Sequence, residues 1–548
     1  MRAVTWLLRV LAAEGVRHVF LAPGAGGAAL AAEAAAAGLV PIVAAGAAGA
    51  AVMADGYARA SGRFGVCLAG NGPGVAGLVA AAAAARADAS PVLFVTDAQG
   101  DAAWPDPADA TALLRAATAA SVAVTAPDRL ASRLRAGLTR LLAGPKAPVH
   151  LQLPFAAPAP EGGPAWVPLD AAVYAPRFVD GRAVERLWRI LVPEGGGPAP
   201  TRLAVLAGAG VEKSGAATQL LAFAELFEIP VATTLRAKGA FPEDHRLSLG
   251  VLEAARPGLA GRVLSDEALE VLVVLGCSFA EAEGPSMAAR LRPGRVLAQV
   301  DVDASVPGRD VFADVPVVGD CREALALMME GGSARINRFR SGNQARAAWL
   351  REKRAKGSAG DAGEAGQGRD LAHGPAASPG PVQGREPDLA FVAEALRRAL
   401  PRRGCLAVDG GPPREVAARR FAAFEPRTFF TAMGAPLAGW ALAAAAGVKA
   451  ALPDRPVACL TDADGLLGYG LEVATAVRHG LGIAYVVAHG PGRDDARLPA
   501  ARAAVDFAAL ARAMGARGLV AQRPQDVAPA LAEALSGPGP CLVDVRCR

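Results

Sequence analysis

The chain has 548 residues, 52% of them hydrophobic and 20% charged, with a formal net charge of +5. That length predicts about three to four domains, and the composition is that of a folded, core-rich protein. Lys and Arg are interspersed with Asp and Glu and form no long basic stripe, which argues against nucleic acid as a partner. The seven cysteines (67, 277, 321, 405, 459, 541 and 547) are too scattered for a disulfide framework and include no C-x-x-C pair, so a reducing, cytoplasmic setting is expected.

Val4, Leu7, Leu8 and Leu11 recur at helical spacing and predict an amphipathic helix ending near Gly15. Arg9 and Glu14 interrupt its apolar run, so it does not read as a signal peptide. A first block, residues 1–172, holds the strand candidates "HVFLAPG", "VPIVAAG", "FGVCLAG", "PVLFVTD" and "VHLQLP". Each is a short apolar run ending in Gly, Pro or Asp, with helical stretches between, the pattern of a parallel sheet covered on both faces. The Ala-rich run 76–88 is too short and too weakly apolar to cross a bilayer, and no membrane partner is expected.

The Pro/Gly-rich strip "APAPEGGPAWVP" leads to a second block, 180–335, with "LAVLAGAG", "IPVATT", "EVLVVLGCS", "VLAQVDVD" and "VPVVGD". Residues 354–388 are almost devoid of large apolar groups and predict a flexible linker, because they cannot bury enough surface to offset ordering entropy. The third block, 389–548, repeats the rhythm with "CLAVDGG", "VACLTDADG", "IAYVVAHG" and "CLVDVR". The expected fold is α/β, three doubly wound parallel-sheet domains.

Four stretches together carry a resemblance: "MADGYARASGRFGVCLAGNGPGVAGLVAAAAAARADASPVLFVT" (53–96), "LAGAGVEKSGA" with "IPVATTLRAKGAFPEDHRLSLG", "VDVDASVPGRDVFADVPVVGD", and "PDRPVACLTDADG" with "LEVATAVRHGLGIAYVV". In this order they resemble thiamine-diphosphate-dependent enzymes of the acetolactate synthase type over nearly the whole chain. The resemblance implies a pyrimidine-binding, a central and a diphosphate-binding domain. It implies thiamine diphosphate with Mg²⁺ as cofactors, held between the first domain of one subunit and the third of another in a dimer or tetramer. It further implies decarboxylation of a 2-oxo acid followed by acyl transfer, and, in some relatives, FAD or ADP on the central domain.

Several positions depart from what the resemblance implies. The first-domain glutamate that activates the cofactor falls on Ala47, with no carboxylate between Val43 and Asp55. The Gly-Asp-Gly of the metal turn falls on Asp462-Ala463-Asp464, and the Asn-Asn that follows falls on His489-Gly490. Ala438 stands where a bulky apolar residue bends the cofactor, the stretch after Gly490 is short, and 97–128 lacks the Phe-Gln and Lys placed near substrate. The candidate cofactor-contacting residues are therefore Asp462, Asp464, Gly465, His489 and Gly490, with a helix N-terminus expected after Gly465; no catalytic residue is assigned. A one-residue slip of the turn would make Asp464 and His489 metal ligands, a pair better suited to Zn²⁺ or Mn²⁺ than to Mg²⁺.

"NGPGVAG" (71–77) and "GAGVEKSG" (208–215) read as close-packed turns, the second also as a weak nucleotide signal. Glu472 reads as an interdomain or dimer contact, His479 as a helix-end residue, His489 as a loop imidazole without a partner, and Asp55, Tyr57 and Arg59 as scaffold. The expected function is a non-catalytic or repurposed homologue acting through contacts with itself or an active paralogue. The alternatives are a working 2-oxo-acid lyase or acyl transferase with a shifted metal site, and a nucleotide-binding sensor using the central domain.

Overall fold

Short apolar runs rich in Val, Leu and Ala form eighteen strands among the described residues, and these assemble into three six-stranded sheets. The computed structural model describes residues 1–24, 26–70, 74–98, 109–159, 166–168, 171–174, 177–194, 198–252, 258–279, 291, 295–333, 335–360, 386–490 and 505–547. The first sheet comprises β1 (His18–Leu21), β2 (Val40–Val43), β3 (Gly65–Ala69), β4 (Val92–Asp97), β5 (Ala120–Ala123) and β6 (Val149–Leu153), in the order β2-β1-β3-β4-β6-β5. The second comprises β7 (Leu203–Ala207), β8 (Val231–Thr233), β9 (Ser248–Val251), β10 (Val271–Leu275), β11 (Val296–Asp301) and β12 (Val315–Val318), in the order β12-β11-β10-β7-β8-β9. The third comprises β13 (Cys405–Val408), β14 (Phe429–Phe430), β15 (Val457–Thr461), β16 (Ile483–His489), β17 (Arg517–Ala521) and β18 (Cys541–Arg546), in the order β14-β13-β15-β16-β18-β17. Pairing is parallel in the first two sheets and across β13-β15-β16-β18-β17 in the third. Helices occupy most of the crossovers among the described residues, while β8 to β9 is joined through a short 3-10 turn, Leu235–Ala237, and β11 to β12 through a loop. This is the expected α/β fold of three parallel-sheet domains. The sequence reading omitted β5, β9, β14 and β17.

The N-terminal amphipathic helix is α1 (Ala3–Ala13), whose Val4, Leu7, Leu8 and Leu11 are buried; Gly15 follows it at φ +80°. No helix among the described residues is long and apolar enough to cross a membrane. One boundary moves. The helix Asn343–Gly360 continues through the first residues of the stretch read as a linker from 354, because Trp349 and Lys353 tie it to Asp266. Residues 361–385 of that stretch lie outside the described residues.

The chain packs as two units: 1–176 with 379–417 and 430–548, and 177–378 with 418–429. Within the first unit, the first and third sheets share one core through two helices, α2 (Ala47–Ser61) and α3 (Trp440–Ala451). Both helices are built from Ala and Gly, so their backbones approach closely. A Cβ on Gly56 would lie 2.4 Å from Ala444 O, and one on Gly447 1.9 Å from Met53 O. Polar contacts reinforce the seam. Arg59 binds Asp55 through Nε and Nη2, Asp88 through Nη2 and Thr431 O through Nη1, while its guanidinium lies 4.8 Å from the Trp440 ring centroid. Trp440 Nε1 donates to Asp55 at 2.9 Å, and Asp88 accepts from Met433 N and Gly434 N. This is the scaffold role expected of Asp55 and Arg59. Tyr57 is buried, its ring against Phe20 and His18.

His150 on β6 is fully buried, with Nδ1 2.8 Å from Ser121 Oγ and Nε2 2.8 Å from Thr96 Oγ1. Ser121 donates its own proton to Thr111 O, so it accepts from Nδ1–H. Burial lowers its pKa to about 4, below the 6.5 of an exposed imidazole. A lowered histidine contributes stability that is present above pH 6.5 and is lost as the pH falls towards 4. Urea unfolding between pH 7 and 4.5 is expected to show this loss, and His150→Gln is expected to flatten it; an unchanged slope in the variant would refute the assignment.

Candidate functional site

The carboxyl ends of β13, β15 and β16 bring the candidate residues to one edge of the third sheet, the usual place for ligands in parallel α/β sheets. Strand β15 ends at Thr461 and α4 (Ala463–Tyr469) begins one residue later. The helix therefore starts at Ala463, earlier than the sequence reading placed it. Asp462 is the reason: it is the N-cap, and its Oδ1 accepts from Gly465 N at 2.9 Å. A side-chain carboxylate at this position satisfies an N–H that the first helical turn would otherwise leave open. Asp464 lies in that first turn, exposed.

Gly465 is buried, and its lack of a side chain is a packing requirement. A Cβ there would lie 2.1 Å from Thr461 Oγ1 and 2.4 Å from Asp409 Oδ2. Asp409, which the sequence reading quoted in "CLAVDGG" without singling out, follows β13 and is 2% exposed. It accepts from Ala441 N at 2.8 Å, from the Thr461 hydroxyl and from Gly439 N. Burial pushes its carboxyl up to about 6, against those donations, and nearby Asp462 adds to the rise. The only sequence signal for it is an acid directly after a continuous apolar strand.

His489 closes β16 and is not a partnerless loop imidazole. Its Nε2 lies 2.7 Å from Oδ1 of Asp544, a fully buried residue on β18, and its ring meets Phe507 edge-on at 5.0 Å. The partner was missed because it lies 55 residues away on the neighbouring strand. Gly490 follows the strand, and most of the loop after it, 491–504, lies outside the described residues. Among the described residues, no three His, Cys, Asp or Glu side chains gather where they could hold a metal.

Ala47 opens α2, its Cβ 3.4 Å from where a Cβ on Gly77 would stand. That gives Gly77 of the "NGPGVAG" run a packing role; residues 71–73 are outside the described set. Ala438 is exposed beside α4, where a Cβ on Gly468 would lie 3.3 Å from Ala438 O.

Glu472 makes the interdomain contact expected of it. It opens α5 (Glu472–Arg478), is 3% exposed, and accepts from Ala45 N and Gly46 N at 3.1 Å each and from Thr475 Oγ1 at 2.7 Å. Burial raises its pKa against those donations. In the second unit, the glycines of "GAGVEKSG" serve the sheet. Cβ atoms on Gly208 and Gly210 would lie 2.4 Å and 2.6 Å from Gly276 backbone atoms, and Gly210 N donates to Gly276 O.

As a cradle for Mg²⁺ and a diphosphate, this set is a poor fit. The helix start carries its own carboxylate, Gly465 is packed against Asp409, and His489 Nε2 is engaged by Asp544. A diphosphate at this helix start would meet the Asp462 and Asp464 carboxylates, and the Gly465 N–H is already taken by Asp462.

Models of thiamine pyrophosphate enzymes nonetheless match along the chain: the N-terminal TPP binding domain at residues 1–106, the central domain at 200–328, and the C-terminal TPP binding domain at 409–490 and 488–545. The chain is 32% identical over 337 residues to a Methanocaldococcus jannaschii protein described as a probable acetolactate synthase large subunit, covering 59% of this chain and 55% of that protein. A Methanococcus aeolicus protein of the same description is 26% identical over 572 residues, covering 99% of this chain and 92% of its own length. An acetolactate synthase of Arthrospira platensis is 27% identical over 576 residues, covering 98% and 93%.

Proposed function

We propose, on the premise that the chain belongs to the thiamine-diphosphate-dependent enzyme family and is acetolactate synthase-like, that it is a non-catalytic or repurposed member. It acts through contacts with a second copy of itself or with an active paralogue. The observation that carries this reading is the Asp462 carboxylate bonded to Gly465 N at the start of α4. Each close pairing of that charge, or of Asp464, with a diphosphate oxygen opposes binding by about 1–4 kcal/mol at high to intermediate dielectric. Ala463 and Gly490 offer no oxygen side chain for a counter-ion, and Ala47 cannot hold or exchange a proton.

Calorimetric titration with thiamine diphosphate and Mg²⁺ tests the reading. No saturable heat is expected up to about 1 mM, the equivalent of some −4 kcal/mol, and no pyruvate is consumed. Saturable binding accompanied by pyruvate turnover would overturn it.

One observation favours the second reading, a shifted metal site at Asp464 and His489. A histidine that ligates a metal commonly gives its other ring nitrogen to a carboxylate, which fixes the ring. Asp544 stands to His489 in that relation. On this reading Zn²⁺ or Mn²⁺, but not Mg²⁺, restores thiamine diphosphate binding, and His489→Ala abolishes it.

A further inference from the structure

Strand β2 is an edge of the first sheet, so the N–H and C=O of Val43 on its outer side have no strand to pair with. Two consecutive side chains at the end of α5 take the place of that strand. Arg478 Nη1 donates to Val43 O at 3.0 Å, and His479 Nε2 accepts from Val43 N at 3.0 Å. One and two helical turns back on α5, Thr475 and Glu472 hold the next amides of the same turn, Ala45 and Gly46. The third domain thus grips the β2–α2 turn of the first through backbone atoms alone.

We propose that the Arg478–His479 clasp on Val43 is a pH-dependent fastening between the two domains of this unit, closed when His479 is neutral and loosened when it is protonated. The polarity of the contact carries the argument. Val43 N–H is directed at His479 Nε2 at 3.0 Å, while Arg478 donates to one lone pair of Val43 O. His479 Nε2 must therefore be a bare acceptor, with the ring proton on Nδ1. Protonation would set a second N–H against the Val43 N–H, beside the Arg478 charge, with Val43 O 3.4 Å away as its only nearby acceptor in this contact.

The surroundings agree in sign. Burial lowers the pKa of His479; the Val43 carbonyl acts against this and the Arg478 charge with it. A lowered histidine favours the closed form above pH 6.5 and opposes it as the pH falls through the folded value. The other titratable groups of the cluster are Glu472 on the same helix, with Tyr469 of α4 and Tyr485 of β16 facing it; the β2–α2 turn contributes backbone only. Glu472 works in the opposite sense. Its raised pKa means that acid does not release Ala45 and Gly46. The loosening is therefore confined to Val43.

Amide hydrogen exchange resolved to single residues tests this on the intact chain, with rates corrected for the intrinsic effect of pH. An open-state histidine of pKa about 6.5 allows a fall of up to about tenfold in Val43 protection between pH 7.5 and 5.5. Ala45 and Gly46 are expected to keep their protection, and so is β10 in the other unit. His479→Gln, which keeps an acceptor but does not titrate, is expected to remove the fall. Constant Val43 protection in the unmodified chain, an equal fall in His479→Gln, or a parallel fall in β10 would each overturn the proposal.

Discussion

Replacing Gly447 with alanine is expected to lower the unfolding free energy of the first unit by about 3 kcal/mol or more, the upper end of what overpacking a core costs. The added methyl would lie 1.9 Å from Met53 O and 2.7 Å from Tyr57 N. Both are backbone atoms of α2, so neither can swing aside as a side chain would, and the two helices must separate. Separation strains the rest of the seam, because Gly56 meets Ala444 in the same way and Arg59, Asp55 and Trp440 bridge the same pair. Trp440, at the start of α3, places a fluorescent probe at the contact. Urea unfolding followed by tryptophan emission and by circular dichroism should show the loss. Gly74→Ala is the control, since its methyl would meet only the Ala47 Cβ, at 3.9 Å. A Gly447→Ala protein as stable as that control would refute the account of how the two domains are joined.

Burial on both faces makes a strand legible in the sequence, although the edge strands β2 and β12 also show as short apolar runs. β3, β7, β10 and β15 are uniformly buried, and each is a continuous apolar run. The omitted ones lack that signal. β5 and β17 are edge strands, mostly half-buried and with polar or small residues; β9 carries a glycine at φ +77°; β14 is two residues long. At the site, the sequence located the turn after β15 and its two acids. It could not show that Asp462 folds back onto Gly465, because a capping acid and a ligating acid look alike until the helix start is known. His489 with Asp544, and Asp409 with Thr461, were hidden for another reason. Each pair joins neighbouring strands more than 50 residues apart, and no local spacing rule connects them. Glu472 and His479 find backbone amides, which leave no trace in residue identity.

Asp409→Asn is expected to gain about 2 kcal/mol of stability relative to the unmodified chain as the pH rises from 4 to 7.5. The carboxyl sits at about 6 in the folded chain against 3.8 when unfolded, because burial outweighs the donations from Ala441 N, Thr461 and Gly439 N. A raised acid contributes stability that is full below pH 3.8 and is lost as the pH climbs through 6. Above that, the fold bears a buried charge, which costs about 1.4 kcal/mol for each pH unit separating the folded and unfolded values. The amide cannot ionise, so it escapes this loss. Any fixed penalty from an extra N–H without an acceptor is the same at every pH and drops out of the slope. The position matters for the site because Asp409 packs against Gly465 at the helix that Asp462 caps. Ionising Asp409 adds negative charge behind a helix start that already carries Asp462 and Asp464, which further opposes a diphosphate at neutral pH. Chemical denaturation at pH 4.5, 6 and 7.5 on both proteins measures the effect. A stability difference that stays constant across those three values would show that Asp409 does not titrate as its burial requires.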